Sequence, residues 1–121
     1  MQDVFTIVIA DRNPHVRSFL QREMSREGYR IRLAESARAL LQWAFNYEPV
    51  DLIILDPDLP DAVEANLLQT LKKRVPAVPV VIHTHYAHTL PGKGEPFILV
   101  EKGGSSVERL KQIAETLLHN K

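Results

Sequence analysis

Four short apolar runs in this chain end on residues that can bind or carry charge. Residues 4–10 lead into Asp11 and Arg12, and residues 50–55 into Asp56, Pro57 and Asp58. Residues 78–82 lead past His83 into Thr84 and His85, and residues 97–100 into Glu101 and Lys102. If these runs are strands of one parallel sheet, two or three carboxylates, a hydroxyl and an ammonium gather at one edge. That edge, beyond the carboxyl ends of the strands, is where open α/β sheets bind ligands. Clustered carboxylates repel one another unless a cation neutralises them. Mg2+ suits one or two carboxylates completed by phosphate oxygens. A lysine and a hydroxyl nearby suit the oxygens of a transferred phosphoryl group, and an aspartate can itself accept that group. Asp56, at the carboxyl end of the third strand, is the candidate functional centre.

The elements that must position these residues are legible as patterns. The four runs are rich in Val and Ile and do not alternate cleanly with polar residues, which suits strands covered on both faces. Residues 29–33 do alternate: Tyr29, Ile31 and Leu33 are apolar and Arg30 and Arg32 charged, as in a half-exposed edge strand. Helical spacing fills most of the gaps. Asn13 precedes Pro14 as an N-cap, Val16, Phe19, Leu20 and Met24 share a face, and Gly28 ends the helix. Ser36 caps a second helix, with Ala37, Leu40, Leu41 and Ala44 on its face and Pro49 after it. Leu67, Leu68, Leu71 and Val75 form a third stripe that stops before Pro76. Val107, Leu110, Ile113, Ala114, Leu117 and Leu118 form the last, capped by Ser105 or Ser106. Between Thr84 and the fifth strand, Pro91, Gly92, Gly94 and Pro96 leave room for at most a turn or so of helix. Alternation of this kind implies an open five-stranded parallel sheet with helices on both faces.

Composition narrows the class. With 121 residues the chain is read as one domain over 1–121. It has no cysteine, so neither a disulfide framework nor thiol chemistry is available. Lys plus Arg and Asp plus Glu are each 15, so the formal net charge is zero. That disfavours a broadly basic nucleic-acid surface. The first residues lack the basic and long apolar regions of a signal peptide, and no apolar run approaches the ~18 residues of a membrane span. The expectation is a soluble cytoplasmic protein with no membrane or direct nucleic-acid partner.

Along nearly its whole length the chain resembles a receiver domain of two-component response regulators, and in particular a chemotaxis-regulator-like one. The segment LIILDPDLPD (52–61) is similar to the stretch around that family's phosphorylated aspartate. The resemblance implies a flavodoxin-like fold with strand order 2-1-3-4-5 and the following roles. Asp56 is the phospho-acceptor, Asp58 offers its backbone carbonyl to Mg2+, and Pro60 matches the proline of the next loop. Asp11 matches the first of the family's paired acids and shares in the metal site with Asp56. Thr84 matches the hydroxyl residue that contacts the phosphoryl group, and Lys102 the lysine that pairs with it. The implied partners are a histidine kinase and a downstream protein or output domain, with a homodimer left open. Such a domain catalyses its own phosphorylation but is not a turnover enzyme.

The chain departs from the family pattern at several positions. Arg12 stands where a second acid, a direct Mg2+ ligand, is usual. Exchanging a carboxylate for a guanidinium changes the local charge by two units, and a unit charge at ~4 Å is worth about 4 kcal/mol at an effective dielectric near 20. Mg2+ binding is therefore expected to be weakened, with Arg12 pairing with Asp56. The alternative is that Arg12 points to solvent while Asp11 and Asp56 still hold metal. The helix between the fourth and fifth strands is shortened or missing. Leu99 stands where a switch aromatic is usual, Glu64 where glycine is common, and Gly103 where a proline follows the lysine. These departures support a second reading, a phosphorylation-independent interaction module on a receiver scaffold. A third, more remote reading is a metal-dependent hydrolase using His83, His85 and His88. That spacing resembles part of the metallo-β-lactamase metal motif, but Ala87 stands in place of its aspartate, so packed or solvated histidines are expected. Asp61 is read as a solvated loop acid, like the Asp58 side chain, and Trp43 and Tyr47 as partly packed on the flank of the second helix.

Overall fold

The structure is a computed structural model that describes residues 4–46, 48–74, 76–85 and 97–119. The Val- and Ile-rich runs pair as a single parallel sheet: β1 (Thr6–Ala10), β2 (Arg30–Ala34), β3 (Leu52–Leu55), β4 (Val80–Thr84) and β5 (Phe97–Glu101), in the order β2-β1-β3-β4-β5. Among the described residues four helices connect them or follow them: α1 (Pro14–Arg26), α2 (Ala37–Ala44), α3 (Leu67–Lys72) and α4 (Ser106–His119). Strand alternation sorts the core into two halves. Ile7, Ile9, Leu52, Ile54 and Val81 face Leu20 and Met24 of α1 and Leu110, Ile113 and Ala114 of α4. Val8, Ala10, Ile53, Leu55, Val80 and Ile82 face Leu40 of α2 and Leu67 and Leu71 of α3. Because both faces are covered, the central strands read as continuous apolar runs. β2 sits at the edge, with a burial pattern that eases from exposed at Arg30 to buried at Ala34.

Local chemistry explains most helix ends. The Asn13 carboxamide accepts from the backbone N–H of His15 and Val16 while Pro14 opens α1, so a proline occupies a position whose N–H would be unpaired anyway. Gly28, at φ 96, supplies the left-handed turn out of α1. The Ser36 hydroxyl accepts from the Ala39 N–H at the start of α2. At the start of α4 the Ser106 hydroxyl donates to the Gly103 carbonyl. The third helix is shorter than its apolar stripe. It stops at Lys72, and Val75 lies outside the described residues. Its first turn is entered through Asn66 in the left-handed region at φ 49, a conformation Asn tolerates better than most residues. β4 in turn is longer than its apolar run, because His83 and Thr84 pair with Val100 and Glu101. Sheet pairing uses backbone groups, so polar side chains do not end a strand that has a neighbour. The shortened or missing helix expected between β4 and β5 falls on residues 86–96, outside the described residues. No helix among the described residues is long and apolar enough to cross a membrane.

Leu40 is fully buried between α2 and the sheet. Leu40→Ala is therefore expected to cost about 2–5 kcal/mol, read as a lower urea midpoint with an unchanged denaturant slope. A loss no larger than that of an exposed substitution would contradict this packing.

Candidate functional site

Register places the acids side by side. Ala10 of β1 lies opposite Leu55 of β3, so the residues that follow, Asp11 and Asp56, leave the sheet together. The Asp56 N–H donates to the Ala10 carbonyl at 2.7 Å, and the Asp11 N–H to the Ala34 carbonyl at 3.1 Å. Both carboxylates end up only 2% exposed. Each would be costly to bury without compensation. Lys102 supplies part of it from just beyond β5, fixed by its own N–H donating to the Thr84 carbonyl at 2.8 Å. Its Nζ lies 2.9 Å from Asp11 Oδ2 and 3.9 Å from Asp56 Oδ2. Arg12 supplies the rest: its Nε is 3.7 Å from Asp56 Oδ2, and its backbone N–H donates to the same oxygen at 3.3 Å. The Arg12 side chain points back to Asp56, although it is half exposed.

The remaining oxygens also have donors. Asp11 Oδ1 accepts from the Asn13 N–H at 2.9 Å, and Asp56 Oδ1 from the Asp58 N–H at 3.0 Å. Arg17 Nη1 donates to the Asp11 carbonyl, tying α1 to the site. Thus two buried carboxylates face two cations, and every carboxylate oxygen is matched to an N–H or ammonium donor. This donor set does not fit a resident Mg2+. Mg2+ needs oxygen ligands at about 2.0–2.1 Å in a near-octahedral shell. Here a guanidinium approaches where a further carboxylate would be needed, and the oxygens of Asp11 and Asp56 are already engaged.

The other residues singled out in the sequence lie as follows. Thr84 ends β4, buried, on the strand next to β3. The Asp58 side chain is exposed, and so is Glu101, so the cluster holds two carboxylates rather than three. Glu64 is exposed, and Gly103 has open space where a Cβ would stand. Leu99 is half buried against the α2/α3 half of the core. Trp43 packs on the same half, and its indole N–H donates to the Leu33 carbonyl at 3.1 Å. Tyr47 lies outside the described residues.

Asp61 is not the solvated loop acid that was expected. Its carboxylate accepts from the N–H groups of Ala37 at 2.6 Å and Arg38 at 3.0 Å, in the first turn of α2. These bonds hold its pKa below the usual value. The loop after β3 thereby anchors the start of α2. The signal was available in part: the Ser36 side chain can satisfy few of the orphan N–H groups of that turn. Which acid would supply the others is a long-range fact.

Among the described residues the histidines do not form a metal set. His83 is buried with Nε2 3.1 Å from the Ser106 hydroxyl, His85 is exposed, and His88 lies outside the described residues. Among the described residues, no group of three His, Cys, Asp or Glu could hold a metal ion. Burial, helped by the nearby Lys102 charge, lowers the His83 pKa from 6.5 to about 4, against the pull of Asp56. His83 is therefore neutral in the fold at neutral pH, whereas the unfolded chain takes up its proton as pH falls below 6.5. Its contribution is present in full above that value and is lost between 6.5 and about 4. On acidification from about pH 7 to about pH 5, wild type is expected to lose about 2 kcal/mol that His83→Gln does not. Urea midpoints of the two proteins at both pH values check this; parallel losses would contradict it.

Comparison with known proteins adds the following. The response regulator receiver domain family pattern matches residues 7–91. The DNA-binding transcriptional regulator NtrC of Bradyrhizobium sp. (strain RP501 Parasponia) is 36% identical over 77 residues, which is 64% of this chain and 16% of that protein. NtrC of Rhizobium meliloti (strain 1021) is 34% identical over 77 residues, again 64% of this chain and 16% of that protein. The chain thus matches only a small part of the length of these relatives. Among solved structures, the chemotaxis response regulator CheY4 of Vibrio cholerae superposes with a TM-score of 0.78 at 18% identity, over 96% of this chain and 100% of that one. The response regulator TrrA of Thermotoga maritima, in complex with Mg2+–BeF, gives 0.80 at 24% identity, over 95% of this chain and 100% of that one. TrrA in complex with the histidine kinase ThkA gives 0.80 at 26% identity, over 95% of this chain and 99% of that one.

Proposed function

Because the chain belongs to the response regulator receiver domain family of two-component systems, we propose that it is a signalling receiver, a single domain over 1–121, whose Asp56 accepts a phosphoryl group from a histidine kinase. The observation that carries this reading is the position of Asp56, buried at the end of β3 with Lys102 and Arg12 on one oxygen. An Asp56 oxygen attacks the donor phosphorus, the phosphorus–nitrogen bond of the donor histidine breaks, and the nitrogen keeps the electron pair and takes a proton. The new acyl phosphate carries one more negative charge than the carboxylate it replaces. Lys102 and Arg12 offset that charge, and Thr84, on the neighbouring strand, offers a hydroxyl to a phosphoryl oxygen. Lys102 must then shift from Asp11 toward the phosphoryl group, and the altered pairing changes affinity for a downstream protein or output domain.

Receiver domains typically bind Mg2+, and TrrA was solved in complex with Mg2+–BeF. The donor set of this chain supports weakened Mg2+ binding and no step that depends on it. Two observations favour the phosphorylation-independent module instead: Arg12 already pairs with Asp56, and Leu99 is packed where a switch aromatic is usual. Titration with beryllofluoride, a phosphoryl mimic, in the presence of Mg2+ separates the two. A receiver is expected to show saturable NMR shifts at the amides of Asp56, Thr84 and Lys102. Unmoved amides at all of these would favour the interaction module.

A further inference from the structure

We infer that Arg12 stands in for the divalent cation, so that the Asp56 pocket accepts a phosphoryl group without bound metal. The inference rests on the proposed phosphoryl acceptance and adds that its charge is balanced by the chain alone. Arg12 and Lys102 neutralise Asp11 and Asp56 before any group arrives. An arginine in place of a second aspartate adds two units of positive charge, the charge of one Mg2+. The metal-free site of this chain therefore has the electrostatic balance that a site with a further acid reaches only with the ion bound. Geometry agrees with charge. Arg12, just past the end of β1, reaches Asp56 Oδ2, while the Asp58 N–H holds the other oxygen, Oδ1. Its planar fork of N–H donors suits a tetrahedral oxyanion. Half of its side chain is exposed, so it can move outward as an incoming group seats.

The transfer balances without a metal. With phosphoramidate as donor, an oxygen–phosphorus bond forms at Asp56, the phosphorus–nitrogen bond breaks, and the leaving nitrogen keeps the electron pair and takes a solvent proton as ammonia. Two readouts test the inference. Phosphoramidate uptake is followed by intact mass with EDTA or with excess Mg2+, and Mg2+ binding is followed separately by calorimetry. Wild type is expected to take up phosphoryl in both arms at rates within about threefold, and to show no saturable Mg2+ heat. Arg12→Asp is expected to bind Mg2+ and to need it for uptake by at least about tenfold. Arg12→Ala, which removes the cation without adding an acid, is expected to lose metal-free uptake by about tenfold or more. Uptake by wild type only with Mg2+, or Mg2+ binding as tight as that of Arg12→Asp, overturns this inference and leaves the receiver reading standing. No uptake in either arm overturns both.

Discussion

Lys102→Ala is expected to lower the stability of the folded domain by about 3–5 kcal/mol at neutral pH. The size follows from what is left behind. Asp11 and Asp56 are both 2% exposed, and among the described residues Lys102 is the cation paired with the Asp11 carboxylate, Arg17 reaching only its backbone carbonyl. Removing one partner of a buried ionic set leaves an uncompensated charge, which costs far more than the net worth of the pair. Arg12 cannot take over, because its guanidinium pairs with Asp56 and is half solvated. For the same reason Arg12→Ala is expected to change stability by less than about 1 kcal/mol. Urea unfolding of the two variants checks the contrast. If Lys102→Ala is too unstable to measure alone, the double variant Lys102→Ala/Asp11→Asn is expected to regain most of the loss, as coupled neighbours do. A Lys102→Ala no less stable than Arg12→Ala would mean that the carboxylates are hydrated and the site is more open than described.

Asp56→Asn carries the largest expected effect on function. It is expected to abolish phosphoryl uptake, because a carboxamide cannot form an acyl phosphate. The fold should tolerate it well. The Asn carbonyl oxygen can still accept from the Asp58 N–H, and one of two buried like charges disappears. Loss of uptake with an unchanged urea midpoint would separate chemistry from folding. Glu101→Gln, an exposed side chain at the end of β5, is the control and is expected to keep uptake at the wild-type rate. Uptake that survives in Asp56→Asn would move the acceptor elsewhere.

The sheet was readable because its strands are covered on both faces. Runs of Val and Ile without polar interruption leave few alternatives to a parallel α/β arrangement, and the two-faced core follows from it, whereas the strand order is one that only the family resemblance implied. Strand ends were less readable. Thr84 belongs to β4 because β5 offers backbone partners, and no side-chain pattern encodes that. The convergence of Asp11, Asp56 and Lys102 could be anticipated, because each follows a strand and the sheet brings strand ends together. What could not be read was direction. Glu101 follows the same logic yet is exposed, because it is the last residue of β5, beyond Phe97 and Leu99 of the same parity, which still pack on the core. Asp61 was underestimated for a related reason: its two N–H partners lie 24 and 23 residues away, beyond any local pattern. The orientation of Arg12 needed the full geometry of the strand ends, since its backbone and side chain both converge on Asp56 Oδ2.

The central claim is that Asp56 is a phosphoryl acceptor. An acyl phosphate can be trapped by borohydride, which reduces it to an alcohol and marks the modified residue in a peptide mass map. After incubation with phosphoramidate, wild type is expected to show this reduction product at position 56 and at no other acid. The product at Asp11 or Asp58 instead, or its absence after prolonged incubation with and without Mg2+, would contradict the account.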